Sequence, residues 1–141
     1  MQAGSVLLDS KFEFSDGTTG QKIFVVLTDI TDDEVIVVKT TSNSIHKCNI
    51  FGCNHDDRYP NFFLPLSSCH FVMNTWIMLD EYFSFSATDL VQKISDIEIE
   101  QKFVMSEKNF TLLLECCIDS EDISGNQAII LQRTLDRIDN Q

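Results

Sequence analysis

The sequence has 141 residues, of which 22 are acidic and 10 are basic, so its formal net charge is −12. That is the length of one typical domain, and a hydrophobic content of 43% is ordinary for a globular protein. No stretch resembles a signal peptide or reaches membrane-spanning length, which predicts a cytoplasmic protein with no membrane attachment. The few Lys and Arg residues exclude a broad nucleic-acid-binding surface but not a local cationic cleft.

The first part of the sequence is typical of a series of short strands. Apolar and β-branched residues recur in short runs between clusters of turn-forming residues, as in antiparallel sheets. The segments with this pattern are residues 5–14, 22–28, 35–41, 62–65, 69–73 and 75–79. Residues 43–60 lack periodicity, and a long irregular connection of this kind is usually functional or mobile. Short strands with such spacing predict a small β-barrel.

From residue 86 onward, the spacing of apolar residues becomes helical. Ser86, Ser106 and Ser124 each precede a segment with an apolar stripe, and serine is a preferred N-cap residue. Gln127 stands three residues after Ser124 and completes a capping box with it. The pattern therefore predicts three helices laid on the strands.

Three stretches near the N-terminus match the opening of a known family. They are Gly-Ser-Val-Leu-Leu at residues 4–8, Phe-Glu-Phe-Ser-Asp-Gly at residues 12–17, and Gln-Lys-Ile-Phe-Val-Val-Leu at residues 21–27. In these stretches the sequence resembles MazF/PemK-type toxins, which are SH3-like barrels that cleave single-stranded RNA. With this resemblance, the predicted fold class is α+β: one domain over residues 1–141, with a small SH3-like antiparallel β-barrel at 1–85 and about three accessory helices in a helical extension at 86–141.

The resemblance also implies an active site. In that family an Arg-Pro step enters the second strand and a Thr-Ser pair ends the third, and this sequence has Lys22-Ile23 and Thr41-Ser42 at those places. The implied chemistry is metal-free: a ribose 2′-hydroxyl attacks the adjacent phosphorus and a cyclic phosphate forms. Lys22 would stabilise the phosphorane charge, and Thr41 and Ser42 would hold a phosphate oxygen.

Lysine at position 22 departs from the family pattern. A guanidinium holds two phosphate oxygens at once, whereas an ammonium is a point charge on a flexible stem, so activity is expected to be weakened or absent. The alternative interpretation is that Lys22 is a solvated charge at the start of a strand and that Thr41 and Ser42 are ordinary strand and turn residues.

Four further residues are predicted to bind substrate. Asp16 lies in the turn-rich loop after the first strand, and His55, Arg58 and Tyr59 lie in the irregular connection. Together the last three supply a base, a cation and a ring on which a nucleobase can stack. The alternative interpretation of that segment is a solvated polar turn.

The five cysteines form an odd set without regular spacing, which predicts reduced thiols. No cofactor is predicted, although zinc held by His46, Cys48, Cys53 and His55 is a weaker alternative, because their spacing does not fit the usual paired-ligand template. A nucleophilic cysteine, either Cys53 near His55 or Cys69 beside His70, is a further alternative; Cys116 and Cys117 are predicted to be packing residues.

The leading functional hypothesis is a MazF/PemK-like, metal-independent endoribonuclease toxin that acts on single-stranded RNA, with a homodimer and a cognate antitoxin as expected partners. The alternative is a non-catalytic acidic interaction protein on a degenerate toxin-like barrel, acting as an antitoxin, immunity factor or regulatory partner. The net charge and the missing arginine favour this alternative. Nucleotide-binding P-loops, dinucleotide-binding glycine patterns and kinase signatures are absent from the sequence.

Overall fold

The computed structural model describes residues 1–14, 16–29, 34–68 and 70–141. Within these ranges the chain has eight strands and three helices, which confirms the α+β class. The strands are β1 (Ser5–Glu13), β2 (Thr19–Val26), β3 (Glu34–Thr41), β4 (Gly52–Asn54), β5 (Asn61–Leu64), β6 (Thr75–Met78), β7 (Phe83–Ser86) and β8 (Ile99–Val104). The helices are α1 (Ala87–Ser95), α2 (Glu107–Ile118) and α3 (Gly125–Asp139).

The strands form one antiparallel sheet in the order β4-β5-β6-β3-β2-β1-β8. β3 is its centre: one edge pairs with β2, and the other pairs with β7 along its first half and with β6 at its end. The terminal strands β4 and β8 are not paired with each other in the described ranges, so the strands do not close into a complete ring. β3 therefore joins every part of the sheet, and its last residues lie where neighbouring strands diverge.

Both faces of the sheet are covered by helices. Alternate residues of a strand point to opposite faces, and on β2 Val25 belongs to one buried cluster while Phe24 and Val26 belong to another. The larger cluster includes Leu113 of α2 and Leu131 of α3, both fully buried. The smaller one includes Leu90 of α1 and the partly buried rings of Phe83 and Phe85. Burial on two faces explains why β2 and β3 have nearly continuous apolar runs.

The predicted helix starts are confirmed by hydrogen bonds. The hydroxyls of Ser86, Ser106 and Ser124 accept from the backbone N–H three residues ahead, at 3.1, 3.3 and 3.1 Å. The side-chain oxygen of Gln127 also accepts from the backbone N–H of Ser124 at 3.1 Å, which completes the predicted capping box. These bonds satisfy N–H groups that the first helical turn leaves unpaired. No helix in the described part of the chain is long and apolar enough to cross a membrane.

The structure differs from the predicted elements in several places. β4 lies in the connection that was predicted to be irregular, and β7 was not among the predicted strands. β8 lies in the predicted helical extension, between the first and second helices, and it pairs with β1 as the sheet's edge strand. Of the strand predicted at residues 69–73, Cys69 lies outside the described residues, and residues 70–73 form irregular chain after a short 3-10 turn at Leu66–Ser68. Proline at position 65 ends β5 because it lacks the N–H that a strand ladder needs.

Candidate functional site

The site is a cleft of about 490 Å³ at the end of β3. Its walls come from β1, β2, the end of β3, residues 70–75 and β8. Apolar side chains make much of its lining, as in most ligand pockets. We name this cavity the Lys22 cleft. The polar and charged residues that line it are Gln21, Lys22, Thr40, Thr41, Ser42, His70, Thr75 and Lys102. All three residues predicted to be catalytic line this cavity, and Lys22 also lines a second cavity of about 490 Å³ together with Glu13, Lys39 and Glu81.

Sheet register explains why Lys22 and Thr41 are neighbours. β2 and β3 pair antiparallel with Phe24 opposite Lys39, and continuing that register by two residues places Lys22 across from Thr41. A hydrogen bond from the Thr40 hydroxyl to the Ile23 carbonyl, at 3.1 Å, holds the two strands together beside them. Lys22 and Thr41 are thus carried by adjacent strands of the sheet, and Ser42 follows directly after β3.

Lys22 is a partly buried cation. Burial lowers the pKa of its ammonium below the ordinary 10.5, and repulsion by Lys39 lowers it further. Among the residues that the structure describes, Lys22 has neither an ion pair nor a side-chain hydrogen bond. Asp9 lies opposite Lys22 in the pairing of β1 with β2, but its carboxylate accepts a hydrogen bond from the Lys11 backbone N–H at 2.9 Å. Lys39 instead pairs with Glu81 at 3.4 Å. An ammonium in this state is available to an external anion.

Two more residues of the cleft were not predicted as site residues. His70 is exposed, and its ring lies 5.6 Å from the ring of Phe103. Lys102 is exposed on β8, with its ammonium 3.3 Å from Glu100. Sequence reasoning missed Lys102 because the segment was predicted to be helical. It considered His70 beside Cys69 but not with Lys22, Thr41 and Ser42, because nothing in the sequence indicates that these residues meet.

The predicted binding residues Arg58 and Tyr59 lie in a second group, outside the lining of the Lys22 cleft. The Tyr59 ring has the Lys47 ammonium 5.5 Å and the Arg58 guanidinium 5.6 Å from its centre, and the His46 ring at 6.0 Å. The distances to the two cations are those of cation–π contacts. These four residues, named the Tyr59 cluster, concentrate positive charge on an acidic protein.

Asp57 organises the connection that carries the Tyr59 cluster. Its carboxylate accepts from the Cys48 backbone N–H at 2.9 Å and from the Asn61 side chain at 2.8 Å. Desolvation acts to raise the pKa of Asp57, but these hydrogen bonds and the charge of Lys47 outweigh it, so the pKa lies below 3.8. The hydrogen bonds of this carboxylate thus help to hold the connection in place.

Asp16 lies away from the cleft lining, near the tip of the β1–β2 loop. Its carboxylate accepts from the Thr18 hydroxyl at 2.6 Å and from the Thr18 N–H at 3.0 Å, and both bonds lower its pKa. The side chain is therefore engaged in shaping its own turn. The predicted substrate-binding set of Asp16, His55, Arg58 and Tyr59 does not form one site.

The expectation of reduced thiols is wrong for one pair, because Cys53 on β4 and Cys116 on α2 form a disulfide. Cys53 is thus no free nucleophile, and Cys116 does more than pack. A spacing of 63 residues between the two partners gave no sequence signal. Burial raises the pKa of the Cys117 thiol to about 12, so that cysteine is chemically inert.

The zinc set predicted as an alternative is not assembled. His46 belongs to the Tyr59 cluster. Cys48 is a free thiol whose backbone carbonyl accepts a hydrogen bond from the Trp76 indole N–H at 2.8 Å. His55 instead lies beside the disulfide, with its Nε2 3.7 Å from the Sγ of Cys116. Of the four predicted ligands, Cys53 and His55 therefore lie next to Cys116, which was not in the predicted set.

Comparison of the chain with protein-family models and with curated proteins finds no match.

Proposed function

We propose that the chain is a metal-independent endoribonuclease that cleaves single-stranded RNA in the Lys22 cleft, a toxin of the MazF/PemK kind. The observation that carries the proposal is that Lys22 of β2, Thr41 of β3 and Ser42, which follows β3, all line one cavity. His70 and Lys102 line the same cavity. A cation, hydroxyl donors and a proton acceptor are what transesterification of RNA requires.

The proposed reaction is an attack by a ribose 2′-hydroxyl on the adjacent phosphorus. The bond from phosphorus to the 5′-oxygen of the next nucleotide breaks, leaving a 2′,3′-cyclic phosphate and a 5′-hydroxyl. His70 takes the 2′-hydroxyl proton, because an imidazole is the commonest general base, and solvent protonates the leaving oxygen in the open cleft. The ammonium of Lys22 stabilises the charge that develops on the phosphorane oxygens, with Thr41 and Ser42 as hydrogen-bond donors.

The physical setting of Lys22 suits this role. A charge that is partly removed from water interacts more strongly with a transition state than a solvated one does. Because no carboxylate pairs with it in the described part of the chain, the ammonium need not break an ion pair before it meets a phosphate. Lys22 is therefore placed to favour the doubly charged phosphorane over the singly charged diester.

The rest of the substrate has two supports. Phe71 and Phe103 line the cleft and offer apolar contact to a base, while Lys102 meets a neighbouring phosphate. The Tyr59 cluster supplies a ring flanked by cations for a nucleotide further along the strand. Arg58 and Tyr59 keep their proposed role in RNA binding, whereas Asp16 and His55 have no part in the proposed mechanism.

The fold proposed with this activity is an SH3-like barrel. It is supported by the two different partners, β6 and β7, that share one edge of β3, since a sheet that divides at its central strand is curled rather than flat. A homodimer with a cognate antitoxin as partner, in the cytoplasm, belongs to the same proposal. The proposed mechanism does not depend on the barrel, the homodimer, the antitoxin or the location.

The proposal is tested by incubating the purified chain with a long single-stranded RNA in excess EDTA. We expect fragments that end in 2′,3′-cyclic phosphate, detected by mass spectrometry, and an intact single-stranded DNA of the same sequence, because DNA lacks the attacking hydroxyl. Intact RNA, or fragments with 3′-hydroxyl ends, would overturn the proposed activity.

Replacing Lys102 with alanine is expected to weaken RNA binding with little effect on the chemical step. A single phosphate contact contributes about 0.7 to the slope of log affinity against log salt concentration for a single strand, so that slope should become shallower by about 0.7. Fluorescence anisotropy with labelled RNA at several salt concentrations measures it. Lys108→Ala, which removes an exposed lysine of α2 outside the cleft lining, is the control; equal slopes for both variants would exclude a Lys102 contact.

A second candidate function is binding of a protein partner without catalysis. Val72 and Met73 line the cleft and are 87% and 56% exposed, and unburied apolar side chains at a cleft often mark a partner surface. The net charge of −12 favours a basic partner. Induced expression in bacteria separates the candidates, since a ribonuclease toxin arrests growth and a binding protein does not.

A further inference from the structure

Three metal-ligating atoms converge where β4 meets α2. They are the Sγ atoms of Cys53 and Cys116 and a ring nitrogen of His55, and all lie within 4.8 Å of one another. Cys53 and His55 are exposed and Cys116 is buried, so the group has one anchored side and one side open to solvent. In this structure the two sulfurs form a disulfide, which leaves neither free to bind a metal.

A disulfide needs only two cysteines, and the position of His55 is a separate observation. The distance from His55 Nε2 to Cys116 Sγ is 3.7 Å. Bond lengths of about 2.3 Å to sulfur and 2.0–2.1 Å to nitrogen place a sulfur and a nitrogen ligand of tetrahedral zinc about 3.6 Å apart, and two sulfur ligands about 3.8 Å apart, so the observed distance is within about 0.1 Å of the expected one. His55 already stands at that separation from one sulfur, and once the disulfide is reduced, side-chain rotation can separate the two sulfurs, whose Cα atoms are 5.7 Å apart.

We propose that the reduced chain binds one Zn²⁺ through Cys53 Sγ, Cys116 Sγ and His55. A dithiol reductant supplies two electrons and two protons to the Cys53–Cys116 bond, giving two thiols and leaving the reductant as a disulfide. Zn²⁺ then displaces both thiol protons and accepts the two thiolates and the neutral imidazole, with water as the fourth ligand. Two thiolates balance the charge of the ion, so no carboxylate is needed.

This site is independent of the proposed ribonuclease activity, since none of its three residues lines the Lys22 cleft. The disulfide and the zinc complex would both fasten β4 to α2, one under oxidising and one under reducing conditions. The segment that carries the Tyr59 cluster would then be held in place in either state.

The test uses the full chain reduced by a phosphine in oxygen-free buffer, with Zn²⁺ delivered from a chromophoric chelator and Co²⁺ as a spectroscopic substitute. We expect one zinc per chain and, with Co²⁺, charge-transfer absorption from thiolate. Oxidised chain should compete at least 100-fold less well for zinc. Cys53→Ser should weaken binding at least 100-fold and His55→Ala at least tenfold, and both positions are exposed, so the fold should survive.

Cys48→Ser and His46→Ala are the matched controls, because they remove a free thiol and an exposed imidazole outside the group. Both should bind zinc like the unaltered chain. The proposal fails if the reduced chain binds no more zinc than the oxidised chain, if the Co²⁺ spectrum lacks thiolate absorption, or if the controls lose as much affinity as Cys53→Ser. Cleavage of RNA in EDTA plays no part in these outcomes, so the two proposals stand or fall separately.

Discussion

Replacing Lys22 with alanine is expected to slow RNA cleavage by about 100- to 1,000-fold, the usual loss when one group that stabilises transition-state charge is removed. The effect should be on the rate of the chemical step under single-turnover conditions, with a smaller change in RNA affinity. Because Lys22 forms no ion pair with another described residue, its removal leaves no unpaired carboxylate behind. The fold should therefore survive, and circular dichroism can verify it.

Lys22→Arg gives this experiment a second readout. A guanidinium remains protonated at any accessible pH, whereas burial and Lys39 lower the pKa of the Lys22 ammonium below 10.5. Cleavage by the unaltered chain should fall as pH rises through that lowered pKa, because the neutral amine cannot stabilise the phosphorane. The arginine variant should keep its activity at alkaline pH, measured against uncatalysed RNA hydrolysis. Full activity of Lys22→Ala would remove Lys22 from the mechanism.

His70→Ala gives a separate test of the proposed base. A positioned general base typically contributes about 10²–10⁴-fold, so the variant should slow the chemical step under single-turnover conditions by at least about 100-fold, with little change in RNA affinity. An unchanged rate of the chemical step would remove His70 from the mechanism.

How far the sequence anticipated this fold depends on how local each signal was. The three helix starts are set by a serine and the residues just after it, so they could be found from sequence spacing alone. β2 and β3 were equally clear because burial on both faces requires long apolar runs. Lys22 and Thr41 lie on these strands and Ser42 follows β3, but their catalytic roles were predicted from the family resemblance and remain a prediction.

β8 shows where local reasoning stopped. Its sequence, Ile-Glu-Gln-Lys-Phe-Val, has three consecutive exposed polar residues and only a partly buried end, so it lacks the alternation of a typical strand. It is a strand because β1 offers an unpaired edge, and that edge exists only after the sheet has formed. Lys102 was missed with it. The part of the cleft that β8 supplies, Lys102 and Phe103, was therefore invisible to sequence reasoning.

The disulfide was missed for a similar reason, and breaking it has the second large expected effect. Reducing the Cys53–Cys116 bond in EDTA should lower the free energy of unfolding by about 4 kcal/mol, because the bond closes a loop of 63 residues and so restricts the unfolded chain. Domains of this size are typically stable by about 5–15 kcal/mol, so the reduced chain should fold but unfold at a urea concentration lower by roughly 2 M.

Tryptophan fluorescence suits the urea titration, since the single Trp76 is buried against Phe63 with ring centres 4.7 Å apart and should report loss of the core. Cys53→Ser without reductant should reproduce the lower midpoint, and Cys48→Ser, which removes a thiol outside the bond, should not. An unchanged midpoint on reduction would mean that the bond does not constrain the unfolded chain.

Zn²⁺ added to the reduced protein should recover part of the stability that is lost on reduction, because a ligand that binds only the folded state shifts the equilibrium toward it.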